Sequence, residues 1–480
     1  MGLKDLKQKY DAIPKAARAS LWYTICNVFQ KGIAFLVIPI YTRVLTTVEY
    51  GQYSVFQSWL GIIIIFATLN LYCGVFTKAM VDYPEDRDRY ISCMQGLSTV
   101  ITILVFGIYC LATGFWNGIF EMDTVTMVMM FVYFIFYPAF SFWTVRQRVE
   151  LKYQIMVLAT VIVSVATPLL SLFLLFFTPL RANAVIWGYM LVQILVGAFF
   201  YFYHFSKSRV FFVKEYWLHG LKFNIPLIPH YLSLIVLGQS DRIMIKEFCG
   251  NDKAGIYNLA YQVSMMMNVV IGAINNSLVP WIYEKLKERT YDALKSISNK
   301  LCILVGVMSL GIIMVAPEMI RILGTEEYYQ AIWVIPAVAL SVYYSFCYGL
   351  FSSVEFYFGS TQLVMVASTV GAVINIILNW IFIPVYGFIA AGYTTLFCYL
   401  IFMLMHYYFM VVICKKEING AAVFDIRFIA LSCLVVSGLS AGCLVLYNYD
   451  IIRYAALLLT VILLVIKRKT IMSIIQSIRR

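Results

Sequence analysis

About fourteen apolar stretches run through this chain, each long enough to cross the hydrocarbon core of a bilayer as a helix. They cover roughly residues 19–42, 52–73, 92–114, 124–145, 154–177, 183–204, 224–246, 255–282, 299–320, 331–352, 361–384, 388–413, 427–447 and 450–466. About 20 apolar residues span the core, and lipid offers no water to an open backbone, so a chain of this pattern folds as transmembrane helices. The division between 331 and 413 is the least sharply marked. Composition agrees: 62% of residues are apolar and 12% charged, about half the charge of an ordinary soluble domain. The expected class is an all-α polytopic membrane protein.

The net charge of +12 is read from its placement rather than its size. With the N-terminus inside, 28 of the 36 Lys and Arg fall in inside segments, seven fall outside, and Lys31 lies within a span. This bias predicts both termini in the cytoplasm and the turn at 46–51 outside, and it removes nucleic acid as a partner. The connection near 353–360 is expected inside yet carries no Lys or Arg. The basic start (Lys4, Lys7, Lys9, Lys15, Arg18) precedes a span too long for a signal peptide, and no small-residue cleavage site follows, so an uncleaved first helix is expected. The longest basic connection, 205–223, separates two bundles, as either an interfacial helix or a solvated linker. The expected organisation is an N-terminal bundle (1–204), that linker, a C-terminal bundle (224–413), and two further helices with a basic tail (414–480).

The two bundles repeat each other. Gly51-Gln-Tyr53 follows the first span, and Gly255-Ile-Tyr257 follows the seventh; the preceding spans end in Arg43 and Arg242. Both helices run inside to outside. The halves are therefore expected to be six-helix bundles related by a pseudo-twofold axis along the membrane normal, the arrangement of parallel-repeat transporters. Aligning Arg43 with Arg242 sets Lys31 opposite His230.

Enzyme signatures are missing. No Gly-Lys dipeptide supports an ATP-binding loop, no His-Glu dipeptide supports a zinc-protease helix, and no serine is read as a nucleophile elbow. The 11 cysteines are spaced ten or more residues apart, without a metal pattern. No catalytic residue, cofactor or metal site is expected.

Lys31 is the outlier. A charge at the centre of a span costs ~2.5–3.5 kcal/mol on insertion scales, so it faces a cavity or partner unless it snorkels. Asn27 shares its face one turn earlier. No acidic residue is read at mid-span; Asp241 and Glu355 come nearest and are placed close to an interface. A cation without a buried carboxylate suits an anion, and a diphosphate would meet Lys31, with Arg43, Arg242 and His230 as further candidates. Interfacial anchoring is the alternative for both arginines. Asn268 with Asn275, and Asn375 with Asn379, have same-face spacing, and Asn276 lies beside them. They are read either as contacts to sugar hydroxyls or as interhelical hydrogen bonds.

At this point the chain resembles a known family. The run Leu221-Lys-Phe-Asn-Ile-Pro226-Leu-Ile-Pro229-His230, then Ser240-Asp241-Arg242, then Ala254-Gly255-Ile256-Tyr257, is similar to the start of the second bundle in polysaccharide repeat-unit flippases. These are the O-antigen and capsule transporters of the multidrug/oligosaccharidyl-lipid/polysaccharide exporter superfamily. Tyr50-Gly51-Gln-Tyr53-Ser54 resembles the family's first-bundle turn. Asn375-x-x-x-Asn379 followed by Ile383-Pro384-x-Tyr386-Gly387-x-x-Ala390-Ala391 is also similar. The likeness covers about residues 15–415.

The resemblance implies a central cavity carrying basic residues, best matched by Lys31 and Arg242. It implies alternating access driven by a proton or sodium gradient whose site the sequence does not name. The implied substrate is an undecaprenyl-diphosphate-linked oligosaccharide in a bacterial cytoplasmic membrane. Membrane lipid, a polysaccharide polymerase and other assembly proteins are the implied partners. A multidrug antiporter, a lipid II flippase and a membrane glycosyltransferase or polymerase are the alternatives.

Overall fold

The computed structural model describes residues 14–466, and the helices among them account for nearly all of that length. In chain order they are α1 (Lys15–Val44), α2 (Thr47–Thr68), α3 (Val75–Asp82), α4 (Arg87–Leu111), α5 (Thr113–Phe120), α6 (Thr124–Val149), α7 (Tyr153–Phe177), α8 (Ala182–Lys207), α9 (Lys214–Asn224), α10 (Ile228–Cys249), α11 (Asn251–Met265), α12 (Met267–Lys287), α13 (Tyr291–Met314), α14 (Ala316–Leu323), α15 (Ile335–Tyr357), α16 (Thr361–Tyr386), α17 (Ile389–Glu417), α18 (Ile426–Leu446) and α19 (Asp450–Ile466). Tight 3-10 turns occupy Ile225–Leu227 and Glu326–Trp333, and no strand occurs among the described residues. Lys4, Lys7, Lys9 and the basic C-terminal tail lie outside the described residues.

Twelve helical stretches among the described residues are long and apolar enough to cross a membrane. Two of them are composite: α9 runs into α10, and α11 into α12. The other two expected spans are present as α2 and α19. Glu49, Gln52 and Gln57 dilute α2, and α19 has only 17 described residues. Large outward side chains such as Leu36, Phe177 and Leu434 suit a lipid surround rather than water.

The described chain forms two compact units. One holds residues up to Ile40 together with Val55–Leu232, and the other holds Tyr41–Ser54 together with residues from Ser233 onward.

In the first unit α8 packs along both α6 and α7. Trp143, Met156, Val163 and Phe200 fill one part of its core. Phe76, Tyr90, Met94, Phe142 and Tyr216 fill another. The connection 205–223 contains a docked helix, α9. Tyr216 donates to Asp86 (2.8 Å), the Trp217 indole donates to the Cys93 carbonyl (3.0 Å), and the Tyr90 hydroxyl meets His219 Nδ1 (3.1 Å). At the ends of α4 and α6, Arg146 bridges Asp88 and Glu150, and Lys152 pairs with Glu150 at 2.5 Å.

In the second unit α15 is the central helix, with most of its length buried. It packs along α17, which in turn packs along α16. Tyr343 and Tyr344 tie α15 to Ser432 and Ser437 of α18 at 2.9 and 2.8 Å. Arg453 of α19 pairs with Glu318 (2.5 Å) and Asp450 (2.7 Å). The connection after α15 has no room for a basic loop. Gly359 takes a left-handed φ of 72°, its N–H and that of Ser360 close the helix onto Phe356 and Glu355, and α16 begins at Thr361.

The turn joining α1 to α2 belongs to the second unit. α1 is continuous, yet the unit boundary falls one residue after its internal Pro39. Thr46 and Glu49 start α2 with a reciprocal capping box, each side chain bonding the other's backbone N–H (Glu49 Oε2 at 2.8 Å, Thr46 Oγ1 at 3.2 Å).

Candidate functional site

The second unit buries a polar cluster built on Asp241 of α10. Its side chain is fully buried. One carboxylate oxygen accepts from the Tyr257 hydroxyl of α11 (2.5 Å) and the Thr395 hydroxyl of α17 (3.0 Å). The other accepts from the Asn379 amide of α16 (2.7 Å). Asn379 also donates to Asn375 Oδ1 (3.2 Å) and accepts from Thr394, while Asn375 donates to Thr395 (3.3 Å). Four residues advance about one helical turn, so both asparagines point the same way from α16.

Arg242, next in the chain, is buried too. It donates to Asn258 (3.2 Å) and to the Gly238 carbonyl (2.7 Å), and its guanidinium lies 4.1 Å from the Tyr261 ring centroid. Its charge partly offsets that of Asp241. A buried carboxylate that accepts from hydroxyl and amide donors on three neighbouring helices forms an interhelical polar network, and an ionisable residue within a span marks a candidate functional site. Transition metals prefer other donors, and no group of three His, Cys, Asp or Glu converges among the described residues.

This corrects the expectation that the spans hold no buried acid. Asp241 is sealed by donors from three other helices, and Glu355 of α15 is equally buried against His406 of α17. Asn375 and Asn379 follow the interhelical alternative: both are fully buried and committed to Asp241 and its neighbours. Asn268 and Asn275 are half-buried on α12, outside this cluster, and Asn276 is exposed.

The other cations are placed differently. Lys31 is the middle residue of the apolar span Arg18–Val44. It is exposed and makes no hydrogen bond or ion pair among the described residues, with Asn27 exposed on the same face. Arg43 donates to the Ile322 carbonyl at 2.7 Å. That carbonyl is at the C-terminal end of α14, where a cation is favoured, so Arg43 takes an anchoring position. His230 is half-buried in the first turn of α10, after Pro226 and Pro229 break the helix. The structure thus joins Asp241, Asn375 and Asn379 within the second unit, while Lys31 belongs to the first.

Serine chemistry finds no support. Gly438-Leu-Ser440-Ala-Gly442 does spell the nucleophile-elbow pattern, but it lies inside continuous α18, and Ser440 donates to the Val436 carbonyl at 2.8 Å. An elbow needs a strand-to-helix turn.

Residues 16–286 match the family described as polysaccharide biosynthesis protein. That is more than half of the chain. The chain belongs to this family. A relative in Haemophilus influenzae, the Lsg locus putative protein 1, is 23% identical over 384 residues, covering 75% of this chain and 90% of that protein. An uncharacterized membrane protein of the same organism is 24% identical over 275 residues, covering 55% and 65%. Among solved structures, the lipid II flippase MurJ in an inward closed conformation superposes with a TM-score of 0.64 at 14% identity, over 95% of this chain and 100% of that one. An inward-facing multidrug resistance MATE transporter of the MOP superfamily gives 0.60 at 12% identity, over 82% and 96%. At such identities the likeness is one of fold. It bears out the expected all-α polytopic membrane fold, and membership in this polysaccharide family bears out the resemblance.

Proposed function

We propose that this member of the polysaccharide biosynthesis family is a flippase for an undecaprenyl-diphosphate-linked oligosaccharide repeat unit. It moves the unit from the cytoplasmic to the outer leaflet by alternating access, for O-antigen, capsule or exopolysaccharide assembly. Both termini lie in the cytoplasm of a bacterial cell, and a polymerase takes the product on the far side.

The observation that carries this reading is Lys31: a cation at mid-span, exposed and without a hydrogen-bond or ion-pair partner among the described residues. Arg43, Arg242 and His230 are each already engaged with protein groups, which makes Lys31 the cation available to a diphosphate. The family's polysaccharide role and the fold shared with a lipid II flippase support a lipid-linked substrate.

A multidrug antiporter is the second reading. Buried Asp241 and Glu355 favour it, since cationic drugs call for a buried acid. Deleting the gene separates the two. The flippase reading expects loss of one surface glycan with its lipid-linked unit accumulating inside. Normal glycan display with new sensitivity to cationic dyes would replace it with the antiporter.

A further inference from the structure

We propose that Glu355 and His406 form a proton-binding dyad in the second unit, and that its loading is coupled to the transport cycle. The second half of this statement rests on the transporter reading above; the first half does not.

The geometry is specific. Glu355 lies two residues before the end of α15, and His406 lies on α17. Oε1 and Nδ1 are 2.8 Å apart, and both side chains are 0% exposed. Each residue then has one heteroatom left over. Glu355 Oε2 and His406 Nε2 are buried without a hydrogen-bond partner among the described residues. Leaving such atoms unpaired is costly, and two on one contact point to a site that exchanges something.

The walls are aromatic. The Tyr348 ring stacks on the imidazole at 5.2 Å and 18°, and Phe402 meets it edge-on at 4.7 Å. Among the described residues no formal charge outside the pair acts on Glu355. On its own helices the ionisable neighbours are the phenols Tyr348, Tyr399 and Tyr407. α12 brings Tyr283 against Tyr357. α13 and α18 bring Cys302 and Cys433 to Cys347. α16 carries no ionisable residue before Tyr386. Tyr261 of α11 and the Asp241 carboxylate, with Arg242 over the Tyr261 ring, act on Tyr399, seven residues or about 10 Å along α17 from His406. Glu326 and Glu327 precede the opposite end of α15, some 20 residues or about 30 Å from Glu355. Lys300 and Arg427, on α13 and α18, are exposed.

Charge counting then gives the function. With one proton on the imidazole and none on the carboxyl, the dyad carries a net negative charge inside an apolar wall. One further proton makes it neutral, as an ion pair or as an acid beside a neutral imidazole. Burial without a counter-charge favours the neutral, loaded form. Water reaching Oε2 or Nε2 favours release. Closure of α15 on α17 and proton loading therefore favour each other, and this linkage is reciprocal.

The test begins with purified wild-type protein, Glu355→Gln and His406→Gln in lipid nanodiscs. Protons taken up between about pH 9 and pH 5, the range in which histidine sites titrate, are counted with an indicator dye. The wild type is expected to bind one proton more than either variant. Equal counts overturn the dyad. If the variants fold poorly, infrared spectra of the wild type serve instead. A deuterium-sensitive band of a buried protonated carboxyl should appear on acidification, and no pH-dependent carboxyl or imidazole band overturns the proposal.

Glycan export under an imposed pH gradient reads the coupling. Glu355→Gln is expected to lose at least tenfold in gradient-driven export. Wild-type gradient dependence in that variant overturns the coupling. A wild-type gene that restores no export overturns the flippase reading while leaving the proton count standing.

Discussion

Gly51 and Gly255 lie against each other's backbones. A Cβ on Gly51 would overlap the Asn251 carbonyl, and one on Gly255 would overlap the Thr47 carbonyl and lie 3.0 Å from the Gly51 nitrogen. The first turns of α2 and α11 cross so closely that each needs the other's missing side chain. Tyr50, beside Gly51, packs its ring edge-on against Tyr328. The equivalent turns of the sequence repeat are thus in contact within the second unit.

Gly51→Val and Gly255→Val are expected to force this crossing apart. Overpacking typically costs ~1–3 kcal/mol, and backbone atoms here cannot step aside. Thermal unfolding in detergent should show both variants melting below wild type, with Gly107→Val, which has open space around it, as the control. Equal melting of all three would show that the crossing is not tight.

Asp241→Asn is expected to lower stability and abolish export. The carboxylate accepts three hydrogen bonds, and an asparagine turns one acceptor into a donor facing other donors. Bonds to a charged group contribute ~1.5–3 kcal/mol each. Asn379→Leu should weaken the protein similarly, because it removes the donor to Asp241 and Asn375 and one acceptor of Thr394. Wild-type melting and export in Asp241→Asn would show the cluster to be dispensable.

Sidedness is tested by Val48→Cys in a cysteine-free background. This position sits in the first turn of α2 and is exposed. An impermeant thiol reagent added outside intact cells should label it. Labelling only in inverted vesicles would reverse the proposed orientation.

Glu150 should make the first unit acid-sensitive. Burial raises its pKa, but the bonds to Lys152 and Arg146 outweigh this and hold the carboxyl below its usual range. A depressed folded-state pKa contributes stability above the unfolded value, and that contribution is lost as pH falls through the folded one. The melting difference between wild type and Glu150→Gln should therefore shrink on acidification below about pH 4. A difference constant from neutral to acid pH would assign Glu150 a purely steric role.

How much of this was legible depends on what physics writes into a local window. Lipid imposes length and apolarity on every span, so the helices could be read residue by residue. Only α2, diluted by Glu49, Gln52 and Gln57, blurs the pattern. Lys31 stood out for the same reason. Burial of Asp241 did not, because its partners Asn379 and Thr395 lie 138 and 154 residues away. The Asn375–Asn379 spacing signalled a shared face without naming what it faced. His406 and Glu355 were each visible as ionisable residues in apolar runs, and pairing them was the missing step. For Arg43, the end of α14 that it caps follows from tertiary packing alone.

Lys31 is where the functional reading is most exposed to test. Lys31→Ala is expected to abolish transport without abolishing insertion. Two effects oppose each other. Removing the ammonium relieves an insertion cost of ~2.5–3.5 kcal/mol, so the variant should be made at least as well. It also removes no protein contact, since Lys31 has none among the described residues. The same change leaves a diphosphate with one fewer partner, and a charge-assisted hydrogen bond contributes ~1.5–3 kcal/mol. At ~1.4 kcal/mol per tenfold, substrate occupancy falls by one to two orders of magnitude. Lys31→Arg keeps the charge and should retain part of the activity. Lys31→Gln keeps length and polarity and should not. Complementation of a deletion strain, with membrane expression measured in parallel, separates these outcomes. Wild-type export by Lys31→Gln would make Lys31 a snorkelling bystander, and the anion site would have to be sought at Arg43, Arg242 and His230, each of which would first have to leave the protein contacts it now makes.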